Sequence, residues 1–384
     1  MNRTNVLLAL IFVIVLLISS LVVNDLRGNI NFLNGFGTNG YYYVPRYMNI
    51  ALSDNYSMNA TVERGSNYYL ILSIPQNSSY QTGSTSIVYG NNVTPQLYNQ
   101  FNLTYYKFKI GGGSNYVNLT FNFTTYGYDW HNLINVNSTV SMIPEYLKNE
   151  YDHPEYFNYT NGLKNYTYEV IDPSFFRNLT VNLTKNYSTV AGKLEAIYNY
   201  IEENYRYNIS YNFGNIPLTA VQVYQRGEGD CEELSYLFES MARSIGIPAW
   251  TQYGILINKD GNTYSIAEHA WVQTYIPINN TAGRFVTIDT TVEAGKPSGQ
   301  ILGLGFLVKY PNELTLWTDD GNSSHMAFFH IFLEYPEFGV IIRSINQVFY
   351  VMEFSQFGQI PISGNVQVII NGVNTIYNNK QEEN

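Results

Sequence analysis

The chain has 384 residues, of which 45% are hydrophobic and 13% are charged, and its formal net charge is −10. This length and apolar content suffice for two or three domains with packed cores, so disorder is not the expected state. The acidic balance and the lack of Lys or Arg clusters exclude a protein that tracks nucleic acid phosphates, and we predict no nucleic acid partner.

Residues 6–23 form an uncharged apolar segment that is long enough to cross a bilayer. The segment lacks the small-x-small ending of a cleaved signal peptide, which favours a retained signal anchor within residues 1–27 over cleavage and secretion. Arg3 precedes the segment, and the positive-inside tendency would keep it in the cytoplasm. We therefore expect a single-pass protein of the cell membrane whose C-terminal bulk is extracellular.

Sixteen Asn-x-Ser/Thr sequons follow this segment, and fourteen of them precede residue 210. An Asn-rich chain forms some sequons by chance, but this density favours N-linked glycans on an outer part of the protein. The sequon residues are Asn55, Asn59, Asn77, Asn92, Asn102, Asn118, Asn122, Asn137, Asn158, Asn165, Asn178, Asn182, Asn186, Asn208, Asn279 and Asn322. The one cysteine excludes an intrachain disulfide, so Cys231 is a free thiol.

Residues 28–185 are predicted to form a β-rich N-terminal domain. Short or alternating apolar runs predict strands at residues 68–74, 105–110 and 116–126. Gly111–Gly113 lies between two of these strands and lacks the Gly-Lys-Ser/Thr ending of a phosphate loop, so we expect a turn there.

Two stretches of this domain bring metal-ligand residue types together, at residues 129–131 and 152–155. Each contains one His and no second motif at ligand spacing, which favours a solvated loop over a metal site. We therefore predict no metal and no cofactor.

The pattern changes near residue 186, where helical spacing of apolar residues begins. Ser188 or Thr189 could cap a helix whose apolar stripe packs into a core. The stripe comprises Leu194, Ile197, Tyr198, Ile201 and Tyr205.

A second helix is predicted from Asp230 to Ile245, with Asp230 and Glu233 as a capping box and Gly246 at its end. Cys231 is then the first helical residue, where the unpaired N–H groups and the helix dipole favour a thiolate. The carboxylates of the same turn raise the pKa of the thiol, so an imidazolium partner is needed to activate it.

An antiparallel meander is predicted after this helix. Its strands are residues 251–257, 270–276 and 284–289. His269 lies on the second strand and Asp289 on the third, where the Asp289 carboxylate could accept a hydrogen bond from the imidazole. Glu268 points to the face opposite His269 and is expected at the rim of the site rather than as a catalytic acid.

Four motifs occur in order: GDCEE at 229–233, GIPA at 246–249, HAW at 269–271 and IDTT at 288–291. Over residues 186–295 they resemble the transglutaminase-like superfamily. The resemblance implies an α+β fold with a papain-like core, in which the Cys helix packs on an antiparallel sheet. It also implies acyl transfer through a thioester, with Cys231 as nucleophile, His269 as general base and then acid, and Asp289 as the orienting group.

The oxyanion hole is less defined by these motifs. The backbone N–H of Cys231 is the first candidate donor, and Gln225, at a spacing reminiscent of papain-like proteases, is the second. Gln222 and Tyr224 are equally near in sequence, and Gln225 could instead be a polar loop residue. Trp250 departs from the family pattern, because many relatives carry Arg there, and this puts a local side-chain contact in doubt.

Residues 296–384 are predicted to form a β-rich C-terminal region. The leading functional hypothesis is a cell-surface cysteine protease or acyltransferase that acts on peptide or isopeptide amides of a protein or peptide substrate. The alternative is a structural or binding glycoprotein of the cell envelope, in which the fold is a scaffold and activity is weak or lost.

Overall fold

The computed structural model describes residues 43–161, 164–209, 216–260, 263–291, 301–302, 305–325, 332–336, 338–361, 365–370 and 373–378. These residues form an α+β fold, which confirms the predicted fold class. The predicted anchor at residues 6–23 lies outside the described residues. Within the described ranges, no helix combines the length and apolarity needed to span a bilayer.

The described α-helices are α1 Glu145–Tyr151, α2 Pro173–Thr184, α3 Val190–Asn204, α4 Ala220–Arg226 and α5 Cys231–Arg243. Helix α3 begins after Thr189, whose hydroxyl accepts a hydrogen bond from the Gly192 N–H at 3.1 Å, as predicted. Helix α5 ends two residues earlier than expected, because the chain turns through Gly246 at a φ of +79°.

The described strands are β1 Tyr43–Val44, β2 Tyr47–Val62, β3 Tyr68–Ile74, β4 Gln81–Tyr89, β5 Val93–Gln100, β6 Leu103–Ile110, β7 Gly113–Tyr126, β8 Tyr128–Asp129, β9 Glu155–Asn161, β10 Lys164–Ile171, β11 Arg206–Tyr207, β12 Glu228–Gly229, β13 Ala249–Asp260, β14 Thr263–Pro277, β15 Gly283–Ile288, β16 Ile301–Leu302, β17 Val308–Lys309, β18 Glu313–Thr318, β19 Phe332–Pro336, β20 Val340–Phe357, β21 Ile360–Pro361, β22 Asn365–Ile370 and β23 Val373–Asn378. The three strands predicted before residue 130 correspond to β3, β6 and β7, and the predicted glycine turn lies between β6 and β7.

One antiparallel sheet runs through most of the molecule in the order β15–β14–β13–β18–β6–β3–β19, and β5 also pairs with β6. The meander predicted for residues 251–289 is its β13–β14–β15 end. Strands from all three predicted segments of the chain share this sheet, since β3 and β6 precede the helices while β18 and β19 follow the meander.

Two hydrophobic cores lie against different parts of this sheet. In one, helices α3 and α5 pack on the meander and α2 packs on these two helices, through residues such as Phe176, Leu194 and Leu237. In the other, the four-stranded sheet β20–β2–β7–β4 and the long sheet bury side chains such as Leu52 and Phe108 between them. The helical core positions the N-terminus of α5, and with it Cys231, against β14.

Candidate active site

The N-terminus of α5 carries Cys231 as its first residue, and the thiol is partly buried. The predicted capping box forms: the Asp230 carboxylate accepts from the Glu233 N–H at 3.0 Å, and the Glu233 carboxylate accepts from the Asp230 N–H at 3.1 Å. The cap carboxylate also accepts from the Glu232 N–H. The cap therefore pairs the N–H groups of Asp230, Glu232 and Glu233 and leaves that of Cys231 out.

His269 and Asp289 meet at the end of the β14–β15 pair. Strand β15 stops at Ile288, opposite Val272, and the next residue is Asp289. The Asp289 Oδ2 atom lies 2.9 Å from Nε2 of His269, and both side chains are buried. The Asp289 Oδ1 atom accepts from the Thr291 N–H at 2.9 Å and from the Thr291 hydroxyl at 2.6 Å. The carboxylate is thus fixed in orientation, with one oxygen for His269.

His269 and the Ala270 backbone N–H lie close enough to the Cys231 thiol to lower its pKa. Because Nε2 of His269 is bound to Asp289, its Nδ1 atom is the nitrogen available to the sulfur. Strand β15 pairs with β14 only from Val272 to Pro277, so residues 269–271 extend beyond its end and the helix N-terminus can approach them. The structure therefore brings the three predicted residues together in the order Cys231, His269, Asp289.

The pKa values of the three groups shift for physical reasons that can be separated. Burial raises the pKa of the Cys231 thiol, and the hydrogen bond and charge of His269 offset part of that rise. Burial lowers the pKa of His269, but Asp289 reverses this effect and raises it well above its usual value. Burial raises the pKa of Asp289, but His269 and Thr291 lower it overall. Asp289 is therefore a fixed anion that stabilises an imidazolium.

The acidic residues around Cys231 destabilise a thiolate less than their number in the sequence suggests. Burial and the neighbouring Glu233 and Glu232 raise the pKa of Asp230 to about 8, which reduces the negative charge of this carboxyl. The Glu232 carboxylate accepts hydrogen bonds from the Tyr236 hydroxyl at 2.6 Å and the Tyr253 hydroxyl at 3.0 Å. Asp230 still raises the pKa of the thiol, as predicted, which leaves His269 as the activating group.

A buried ion pair lies behind the His269–Asp289 pair and was not predicted from the sequence. Lys309 Nζ is 2.7 Å from Glu313 Oε2, and both side chains are buried. The same ammonium lies 4.8 Å from the centre of the Trp271 ring, two residues after His269. Glu313 is close enough for its pKa to respond to Asp289 and His269. No sequence motif links residues 309 and 313 to residue 269.

Three further residues were singled out in the sequence beside the Cys–His–Asp set, namely Gln225, Glu268 and Trp250. Gln225 is exposed on α4. Glu268 is close enough to Asp54 to raise the pKa of that carboxyl, whereas the adjacent His269 pairs with Asp289. Trp250, which departs from the family pattern, is buried: it stacks on Tyr151 at 4.2 Å and donates to Gln273.

The two stretches considered as metal sites are structural. His131 is buried and its Nδ1 atom pairs with Asp129, while Glu155 is fully buried against Arg243, so the expected solvated loops are wrong at these side chains. The sequence pattern could not reveal this, because the partner of Glu155 lies on a distant helix. Over the described ranges, no group of three or more His, Cys, Asp or Glu side chains could hold a metal ion.

Comparison with protein families gives one match, to the transglutaminase-like superfamily over residues 177–290. This chain carries a transglutaminase-like domain. The match includes Cys231, His269 and Asp289, and it begins within α2, upstream of the start expected from the motifs. A comparison with curated proteins found no match.

The solved structures that are similar to the chain include the following three. A proposed cysteine protease from Cytophaga hutchinsonii is 14% identical with a TM-score of 0.52, and the match covers 81% of this chain and 96% of that one. The periplasmic domain of TgpA from Pseudomonas aeruginosa is 9% identical (TM-score 0.32; 64% and 88% covered), as is red sea bream transglutaminase (TM-score 0.29; 65% and 48% covered). Only the first similarity is close enough to indicate a shared fold.

Proposed function

We propose that the transglutaminase-like domain is a cysteine enzyme that cleaves or transfers peptide or isopeptide amides through a thioester on Cys231. The observation that carries this proposal is the position of His269, whose Nε2 atom is bound by Asp289 and whose other nitrogen is available to the thiol. A buried, pre-oriented imidazole beside a thiol at a helix N-terminus is the arrangement that nucleophilic catalysis requires.

The reaction begins when His269 takes the thiol proton and the Cys231 sulfur attacks the amide carbon. The carbonyl π electrons move to oxygen, and the tetrahedral intermediate collapses as the imidazolium protonates the leaving amine, which leaves a thioester. Water or a second amine then attacks the thioester, and His269 takes the proton from the attacking group and returns it to the sulfur. Hydrolysis and amine transfer differ only in this acceptor, so both remain part of the proposal.

Location is a separate proposal: the domain lies outside the cell, held by the apolar segment at residues 6–23 and bearing N-linked glycans. The charge-free length of that segment supports an anchor. The exposure of the sequons is compatible with glycans, since none of the sixteen asparagines is buried. Protease digestion of intact cells that express the protein tests the location, because only a small N-terminal fragment should be protected. Glycosidase treatment of the protein tests the glycans by the loss of mass.

The test of the activity uses the full chain and its Cys231→Ala variant, incubated with casein and a labelled primary amine. We expect the parent protein to incorporate label into casein or to release casein fragments, and Cys231→Ala to do neither. Label alone indicates transfer and fragments alone indicate hydrolysis. If neither product forms and the thiol reacts with iodoacetamide no faster than a free cysteine of pKa about 8.5, the scaffold alternative is favoured.

A further inference from the structure

The buried ion pair of Lys309 and Glu313 takes no part in the proton transfers of the proposed reaction. The Lys309 ammonium donates to the Glu313 carboxylate at 2.7 Å, and both side chains are buried. A buried ion pair adds little net stability over well-packed apolar residues of the same volume, so stability alone does not explain it. The ammonium also lies over the face of the Trp271 ring, 4.8 Å from its centre, and this contact leads toward His269.

The indole of Trp271 is held at its nitrogen, at its far edge and on one face. Its Nε1–H donates to Oε1 of Gln252 at 3.0 Å, across the β13–β14 pair. Its Cη2 atom lies over Gly254, where an added Cβ would be 2.9 Å from Cη2 and 2.1 Å from the Leu314 carbonyl oxygen, so only glycine leaves room for the ring. The Lys309 ammonium covers the face at a distance typical of a cation–π contact.

The fixed indole borders the imidazole of His269. The two residues are two positions apart on β14, so their side chains lie on the same face of the sheet, and their ring centres are 5.7 Å apart. Gly254 is the cross-strand neighbour of His269 and has no side chain, so Trp271 fills the space beside the imidazole. Asp289 holds Nε2 of His269 at 2.9 Å, but a single hydrogen bond leaves the imidazole able to tilt about that atom. The indole restricts this tilt.

We propose that Lys309 is a positioning residue, which holds the Trp271 ring against His269 and thereby keeps the imidazole aimed at the thiol. This inference rests on the proposed function. Glu313 is the fixed anion that keeps the ammonium over the ring, and no proton leaves the ion pair during the reaction. Without the ammonium, the indole keeps its hydrogen bond to Gln252 but loses the contact that fixes the tilt of its plane. The imidazole beside it then gains freedom to turn away from the sulfur.

The experiment removes both charges in the full chain, by Lys309→Met combined with Glu313→Gln, so that no unpaired charge stays buried. Near pH 6 only an activated thiol is alkylated quickly by iodoacetamide, whereas near pH 10 a thiol with a pKa of about 8.5 ionises without help. We expect alkylation near pH 6 and kcat on casein to fall by about 10- to 10²-fold, because the imidazole is misplaced. Alkylation near pH 10 and KM should stay close to the parental values.

Three further variants separate positioning from a purely structural role. Lys309→Arg should restore most of the alkylation near pH 6, because a guanidinium can pair with the Glu313 carboxylate and lie over the indole. Trp271→Phe leaves the ion pair in place but shortens the ring, and it should show the same loss near pH 6. Lys107→Met is the matched control, since it removes an ammonium 4.1 Å from the centre of the Tyr69 ring, and it should change neither rate.

Urea denaturation of each variant is measured in parallel, because a purely structural ion pair alters the free energy of unfolding alone. A parental rate near pH 6 and a parental kcat in the double variant would overturn the inference. If the double variant does not fold, a parental rate near pH 6 in Trp271→Phe would overturn it instead. A parent protein whose thiol is activated near pH 6 but which is inactive on casein would remove the proposed function, and the alkylation rates alone would then decide the inference. A parent thiol that reacts only as a free cysteine would overturn both.

Discussion

The two ends of the Cys231 helix bury charge in opposite ways. At the N-terminus, Cys231 is partly buried and lies near His269, whose imidazole pairs with the Asp289 carboxylate. At the C-terminus, Arg243 is fully buried among three carboxyl groups, of Glu155, Glu239 and Asp319. The two sites are separated by the length of the helix, about 20 Å for thirteen residues at ~1.5 Å each.

The comparison separates the charged groups that the proposed reaction would use from those that stabilise the fold. The guanidinium of Arg243 donates to the Ala249 carbonyl at 2.8 Å and to the His153 carbonyl at 3.0 Å, in addition to the carboxyl groups. Its donors are spread over several elements, which leaves it no freedom to move. His269 has one strong partner and one nitrogen left for the thiol, so its proton can be exchanged. We expect changes at the first end to alter rate and changes at the second to alter stability.

The largest expected effect is the loss of rate in Asp289→Asn. The Thr291 N–H donates to Oδ1 of residue 289, so the Asn carbonyl must face Thr291 and its NH₂ group must face His269. Nε2 of His269 then has to be unprotonated, and its proton moves to the nitrogen beside Cys231, which is the wrong tautomer for a base. We expect kcat/KM on casein to fall by about 10³ to 10⁴-fold, with little change in the free energy of unfolding.

Asp320→Asn is the matched control, because Asp320 also pairs with an imidazole, at 2.8 Å from Nδ1 of His325, and has no contact with Cys231. It should retain the parental rate. An Asp289→Asn variant with parental kcat/KM would show that the orientation of His269 does not depend on this carboxylate. The expectation that changes at the N-terminal end alter the rate would then be wrong.

The N-terminal end of the helix was largely predictable because its determinants are local. Asp230 and Glu233 are three residues apart and form the cap that the sequence predicts. The strands bearing His269 and Asp289 follow as a short meander, so their register depends on nearby residues. The order of the motifs was therefore enough to predict that the thiol, the imidazole and the carboxylate lie together.

The C-terminal end could not be predicted because its partners are remote in sequence. Glu155 lies 88 positions from Arg243, and Asp319 follows a strand that joins the sheet from the far side of β13. Single charged residues of these kinds are usually exposed, so their burial is visible only once the sheet is assembled.

Arg243→Met has the second largest expected effect. Methionine fills much of the volume but supplies no positive charge, so Glu155, Glu239 and Asp319 lose their shared partner in a buried site. We expect the free energy of unfolding to fall by about 3–5 kcal/mol, measured by urea denaturation at pH 7. Arg226→Met, on the exposed end of α4, should change it little. A parental denaturation midpoint in Arg243→Met would contradict the structural role.

Glu239→Gln has the smallest expected effect, and its sign depends on pH. Burial raises the pKa of Glu239 to about 8, against 4.5 for an ordinary Glu, although Arg243 and the Thr251 hydroxyl act in the opposite direction. A carboxyl whose pKa is higher in the folded state favours folding at low pH, and that contribution is lost as pH rises from about 4.5 through about 8. Gln has no such titration, and its amide can donate to Thr251 while its carbonyl accepts from Arg243.

We therefore expect Glu239→Gln to match the parent protein near pH 5 and to exceed its free energy of unfolding by about 1–3 kcal/mol at pH 8, measured by urea denaturation at both pH values. Glu203→Gln, at the exposed end of α3, should change neither value. The free energy of unfolding of the parent, relative to that of Glu239→Gln, should fall between pH 5 and pH 8. If it does not fall, the Glu239 carboxylate is already charged in the folded state and is fully compensated by Arg243. The C-terminal end would then be a network of ions rather than a set of carboxyl groups that burial keeps partly neutral. The two ends of the helix would then differ only in that Arg243 is fixed by its partners, whereas the proton of His269 can be exchanged.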